Sequence, residues 1–110
     1  CDIYNPKTVR STMGSLFRMR IANADGNEMF AALKNKGIET FASVIDANAL
    51  SLTDCSFRNG AAVLIGNEGS GLPQETVSRC DKKLTIHMNG NVNSLNAATA
   101  ASIIMWELTK

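Results

Sequence analysis

Residues 61–72 read Ala61-Ala62-Val63-Leu64-Ile65-Gly66-Asn67-Glu68-Gly69-Ser70-Gly71-Leu72, an unbroken apolar run that stops at the first of three closely spaced glycines. A run of this kind predicts a strand covered on both faces, and such strands belong to parallel sheets with helices on each side. The flanking segments agree. Asn5-Pro6 supplies a cap and a first helical residue, predicting a helix to about Leu16, and Phe17 to Ile21 reads as a short strand with Arg18 and Arg20 on one face. Asp25 ahead of Glu28-Met29-Phe30-Ala31-Ala32-Leu33, with Gly37 as a stop, predicts a second helix. Further on, Ile38 to Ile45 predicts a strand, Asp46 to Asn59 a polar turn-rich loop, and Pro73 to Arg79 a short helix. Leu84 to Met88 then predicts another strand, and Ser94 to Leu108 a final helix capped by Asn93 or Ser94. Strands separated by helices need crossover connections, so the expected fold is α/β, a mostly parallel sheet flanked by helices, with all 110 residues in one domain.

Composition narrows the function classes. Hydrophobic residues make up 45% and charged residues 19%, which is the make-up of a packed globule rather than a disordered tail. The net charge of +1 provides no global field toward nucleic acid or membrane, so RNA affinity has to come from a local patch. The first twenty residues hold one: Lys7, Arg10, Arg18 and Arg20 against Asp2. Cys1, Cys55 and Cys80 form no C-x-x-C, and His87 is the single histidine, so neither a disulfide framework nor a zinc site is expected, and a reducing cytoplasm is. The most apolar stretch, Ala97 to Trp106, falls short of the roughly 20 residues a membrane span needs and is interrupted by Thr99 and Ser102. No membrane partner and no signal peptide are expected. A chain that begins with Cys1 reads as a piece of a longer protein.

In open parallel sheets ligands settle beyond the carboxyl ends of strands, and two loops qualify here. The first spans Gly66 to Leu72. It lacks the lysine of a phosphate loop and runs G-x-x-G-x-G rather than G-x-G-x-x-G. A glycine cluster more often marks a tight turn than a ligand site, but Glu68 is not needed for the turn. The second loop holds Asn89, Asn91 and Asn93 before Ser94, with Asn96 just beyond, offering donors and acceptors without charge. Behind it, Leu95 to Ala101 is built of small residues on almost every side, which suits a helix that is buried or threaded close to neighbouring backbone.

These two loops carry a resemblance. Ala62 to Leu72, and Leu84-Thr85-Ile86-His87-Met88 through Ser94-Leu95-Asn96, are similar to the second and third motifs of the SpoU/TrmH family of RNA ribose 2′-O-methyltransferases. Asn5-Pro6-Lys7-Thr8-Val9-Arg10-Ser11 with Gly14-Ser15-Leu16-Phe17 resembles the segment preceding them, so the likeness covers the whole chain. It implies a deep C-terminal trefoil knot, S-adenosylmethionine bound in the knot, no metal, a homodimer, and a tRNA or rRNA substrate rather than DNA. Carried over residue by residue, Gly66, Ile86, Met88 and Leu95 fall where the family contacts the cofactor, while Glu68, Ser94 and Asn96 fall where it keeps polar active-site groups. His87 stands where proline is common and Ala97-Ala98 where Val-Ser is usual, and His87 is not expected to be catalytic. The family's first motif, an Asn-x-Gly segment followed by an arginine assigned to activating the ribose hydroxyl, has no match here. This N-terminal strand-helix part is therefore expected ahead of Cys1, its absence is expected to expose an apolar sheet edge, and the 110-residue chain is expected to bind cofactor yet transfer methyl slowly or not at all. A non-catalytic RNA- or nucleotide-binding module that keeps the pocket is the alternative, and methyl transfer separates the two.

Overall fold

The computed structural model describes residues 4–11, 13, 19–46, 48–57, 60–67, 70–86 and 96–109. Its elements are α1 (Pro6–Ser11), α2 (Gly26–Asn35), β1 (Glu39–Ser43), β2 (Leu50–Ser51), a 3-10 turn (Leu52–Asp54), β3 (Ala61–Leu64), α3 (Gln74–Arg79), β4 (Lys82–Thr85) and α4 (Ala97–Leu108). The strands form one sheet in the order β2-β4-β1-β3, and every pairing is parallel, as expected for the α/β class. The chain leaving β3 passes through α3 and enters β4 on the other side of β1, the crossover that parallel neighbours require. The path that would make a trefoil knot runs through residues 87–95, which lie outside the described residues.

Local chemistry starts the helices where the sequence indicates. Asn5 Oδ1 accepts the Lys7 N–H at 2.9 Å at the head of α1, and Asp25 Oδ1 accepts the Glu28 N–H at 2.8 Å at the head of α2. Gly37 ends α2 in the left-handed region at φ +67°. α1 is shorter than expected: the described helix stops at Ser11, and Met13 turns left-handed at φ +52°. Residues 19–21, expected to close a strand, form none and are exposed, Met19 and Ile21 included, because no described strand lies beside them to pair with. α4 begins at Ala97 rather than Ser94, and its cap is Asn96, whose Oδ1 accepts the Ala98 N–H at 2.8 Å, rather than Asn93 or Ser94.

The core is Phe41, Leu52, Leu84 and Ile104, with the Phe57 ring set edge-on against Phe41 at 5.1 Å. β1 carries three buried residues in succession, Thr40, Phe41 and Ala42, so the strand covered on both faces is β1. β3, the unbroken apolar run, is half-buried at all four positions because it lies at an edge of the described sheet, where less of the molecule surrounds it. The interval Asp46 to Asn59 is more than a loop. Leu50 and Ser51 pair with Leu84 and Thr85 to make β2, and the following turn places Leu52 in the core. α4 contributes only Ile104 to the buried set, and Trp106 and Met105 stand 67% and 53% exposed, so among the described residues α4 is a surface helix rather than a buried one.

Candidate active site

Parallel strands send their carboxyl ends to one edge of a sheet. β3 and β4 flank β1, so the loops that follow them leave the same edge about 10 Å apart, two strand spacings. The end of β1, Val44 to Asp46, lies between them, and the Val44 N–H continues the ladder by donating to the Leu84 carbonyl at 2.9 Å. Gly66 and Ile86, placed at the two strand ends by the sequence, are therefore brought to one edge. Val44 to Asp46 was not singled out by the sequence. Strand order alone puts it there, since β1 lies between β4 and β3 and runs parallel to both.

The first loop is closed by its own backbone. The Gly71 N–H donates to the Asn67 carbonyl at 2.8 Å, and the two residues form an isolated antiparallel bridge. A Cβ on Gly66 would run into the backbone of Gly71 and Leu72, with the Gly71 Cα at 2.9 Å. The space glycine leaves at position 66 is thus filled by the other arm of the loop. Gly71 has φ +68° and open space where a Cβ would stand, so backbone conformation rather than crowding calls for glycine there. Ile65 is 37% exposed just before the loop, and Ile86 is half-buried against the core just after β4. Two apolar side chains at the strand ends, beside main chain that has left the sheet ladder, suit a ligand with both an apolar part and polar groups.

Asn96 serves first as the cap of α4, with its Oδ1 engaged by the Ala98 N–H, so its amide nitrogen is the group left to donate. Glu68, Met88, Ser94 and Leu95 lie outside the described residues, as does His87. Asp46 is committed to the fold: its carboxylate accepts the Asn48 N–H at 2.9 Å and faces Lys83 Nζ at 3.5 Å, and these contacts, the backbone hydrogen bond foremost, hold it below its ordinary value. The two described cysteines are not activated nucleophiles. Cys55 and Cys80 donate to the carbonyls of Ser51 and Thr76, and burial pushes both thiols up from their ordinary values. A separate groove of about 440 Å³ opens at the opposite, amino edge of the sheet, between Phe30 and Lys34 of α2 and Arg79 at the end of α3. Arg79 lies over the Phe30 ring at 4.4 Å and donates to Asn27 Oδ1 at 2.7 Å, so its guanidinium ties α3 to α2. Among the described residues no group of three His, Cys, Asp or Glu side chains could hold a metal ion, and no helix is long and apolar enough to cross a membrane.

Comparison with known proteins gives the chain a family. The SpoU rRNA Methylase family matches residues 1–106. A 23S rRNA (uridine(2479)-2'-O)-methyltransferase of Streptomyces viridochromogenes is 32% identical over 99% of the chain, which covers 40% of that protein. A tRNA (guanosine(18)-2'-O)-methyltransferase of Escherichia coli is 31% identical over 70% of the chain and 34% of its own length. An AdoMet-bound rRNA methyltransferase from Sinorhizobium meliloti superposes with a TM-score of 0.89 at 30% identity, over 98% of this chain and 41% of that one. The chain thus spans about two fifths or less of the length of these relatives.

Proposed function

The chain belongs to the SpoU rRNA Methylase family, and from that premise we propose that it is the cofactor-binding part of an S-adenosylmethionine-dependent RNA ribose 2′-O-methyltransferase acting on tRNA or rRNA. The observation that carries the reading is the placement of the Gly66 loop and Ile86 at one sheet edge, on either side of β1. The described residues fit such a cofactor. Ile65 and Ile86 offer apolar surface to an adenine ring, and the main chain beyond β3 and β4 has left the ladder and is available to hydrogen-bond the polar parts of the molecule. Met88 and Leu95 complete the apolar contacts in this reading.

When bound, S-adenosylmethionine supplies a methyl group on a positively charged sulfur. The chain's own task is to bring a ribose oxygen into line with that methyl, keep water out, and let the hydroxyl proton leave. Glu68, Ser94 and the free amide of Asn96 orient the ribose, with Asn96 held in place because its carbonyl oxygen is fastened to α4. The working form is a homodimer in which the exposed Met105 and Trp106 of α4 are covered.

The test is calorimetric titration of the chain with S-adenosylmethionine, together with radiolabelled methyl incorporation into mixed tRNA and rRNA by the chain and by a longer form extended upstream. Cofactor binding and 2′-O-methylated RNA from the longer form are expected. Absence of cofactor binding by folded protein overturns the reading, and binding without transfer by either form replaces it with a binding module.

A further inference from the structure

The groove at the amino edge of the sheet takes no part in the methyl-transfer site. It lies at the opposite ends of β1 and β4 from the Gly66 loop and Ile86, roughly 15 Å away along the strands. Helix geometry makes one wall: Asn27, Phe30, Ala31 and Lys34 stand three or four positions apart, so they share one face of α2, and that face lines the groove. None of the ten residues of α2 is buried, Ala31 is exposed, and Phe30 and Ile38 are half-buried, so this face of the helix is left unfilled rather than packed onto the sheet. At about 440 Å³ the space falls within the range of small-ligand sites, roughly 300–1,000 Å³. Its charged groups are two cations, Lys34 and Arg79, and one carboxylate, Asp81, which leaves a balance of +1. Asp81 is turned to β1, where its Oδ2 accepts both Thr40 donors. Arg79 is held by neutral groups: its guanidinium lies over the Phe30 ring at 4.4 Å, its Nη1 donates to Asn27 Oδ1 at 2.7 Å, and no ion pair joins it to a carboxylate among the described residues. An exposed arginine ordinarily gives up freedom when it grips a ligand. Here two contacts have already fixed it, and its Nε–Nη2 edge keeps the pair of parallel N–H groups that matches a carboxylate.

We propose that this groove is a binding site for a small monocarboxylate with an apolar body, the anion on Arg79 and Lys34 and the body against Phe30, Ala31 and Ile38. A single negative charge balances the +1 of the lining, whereas a phosphate dianion would exceed it and meet the Asp81 carboxylate. The site is independent of the methyltransferase reading, since it is built from other residues at the other edge of the sheet.

The experiment titrates the chain with phenylpropionate and follows its backbone amides by NMR. Saturable shifts confined to α2 and to residues 38–40 and 79–81 are expected, with a dissociation constant of about 1 mM or below. Phenylpropionamide, the same body without the charge, should bind about tenfold or more weakly, and phenyl phosphate no more tightly than the carboxylate. Arg79→Ala should weaken binding about tenfold, and Arg79→Lys, which keeps the charge and loses the fork, several-fold. Because Arg79 also ties α3 to α2, Ala31→Leu supplies a test that leaves both cations and that tie in place. Its larger side chain, at an exposed helical position, fills the groove and should remove binding with the melting temperature unchanged. The proposal is overturned if no saturable shift appears up to about 10 mM, if the shifts fall instead on residues 44–46 and 65–67 at the carboxyl edge, or if Ala31→Leu binds as wild type does. An amide that binds as well as the acid, or a phosphate that binds more tightly, overturns it too. Repeating the titration with saturating S-adenosylhomocysteine keeps the two readings apart: an unchanged affinity supports a separate site, and competition defeats it, whichever way the cofactor assignment itself falls.

Discussion

Replacing Asp81 with alanine should cost more stability than its exposed position suggests. Thr40, 4% exposed at the start of the central strand β1, has its backbone N–H and its hydroxyl both donating to Asp81 Oδ2, at 2.9 and 3.2 Å. The Thr40 hydroxyl in turn accepts the Asp81 N–H at 2.9 Å. These bonds close the amino end of the β1 and β4 ladder, whose register begins with Phe41 opposite Lys82. Asp81→Ala removes a charged acceptor and leaves a buried backbone N–H without its partner, each worth about 1–3 kcal/mol, and entry of water at the exposed Asp81 side brings the net loss to about 2 kcal/mol. Thr40→Val keeps shape, loses one side-chain donor and orphans the Asp81 N–H, for about 1–2 kcal/mol. Asp81→Asn keeps an acceptor in place and should cost about 1 kcal/mol or less. Urea unfolding read at constant m-value gives the three differences, and a double-mutant cycle between Thr40→Val and Asp81→Ala gives their coupling. Asp81→Ala within about 0.5 kcal/mol of wild type, the scatter of ordinary surface changes, would refute the argument, as would an Asp81→Asn as damaging as the alanine variant.

Gly66→Ala should destabilise the protein and abolish cofactor binding together, because the new Cβ strikes the Gly71 and Leu72 backbone, while Gly71→Ala should cost about 1–2 kcal/mol through its φ of +68° alone; thermal melts and calorimetry separate the two. Asp46 titrates below its ordinary value in the fold, so its contribution is present above the unfolded carboxylate value of about 3.9 and is lost as pH falls through the lower folded value. Melting of wild type and Asp46→Asn across acidic pH should therefore show a gap above about pH 5 that closes in strong acid, and a gap that widens with acidification would contradict the assignment. Ile104→Ala, at 1% exposure, should cost about 2–5 kcal/mol, whereas Trp106→Glu on the exposed face of α4 should leave unfolding nearly unchanged and shift the species seen by light scattering from dimer to monomer.

Local interactions between near neighbours were open to reading from the chain alone. Asn5 and Asp25 start helices through side chains that reach main chain two or three residues on, Gly37 stops one by taking a positive φ, and the apolar and glycine run at 61–72 makes a strand followed by a tight loop. The carboxyl-edge positions of Gly66 and Ile86 followed from the same reasoning, since alternating helices and strands oblige a parallel sheet and a parallel sheet has one carboxyl edge. Burial did not follow. Phe41 and Ala42 in β1 are covered on both faces and the more uniformly apolar β3 is not, because coverage depends on rank in the sheet, and β1 lies inside while β3 lies at an edge. β2 escaped the sequence for a related reason: two residues have no periodicity, and Leu50 and Ser51 become a strand only because β4, more than thirty residues later, arrives beside them. Gly66 shows the same division at one position, where the sequence calls for a residue without a side chain and only the folded loop shows that the backbone of Gly71 and Leu72 occupies the room it leaves.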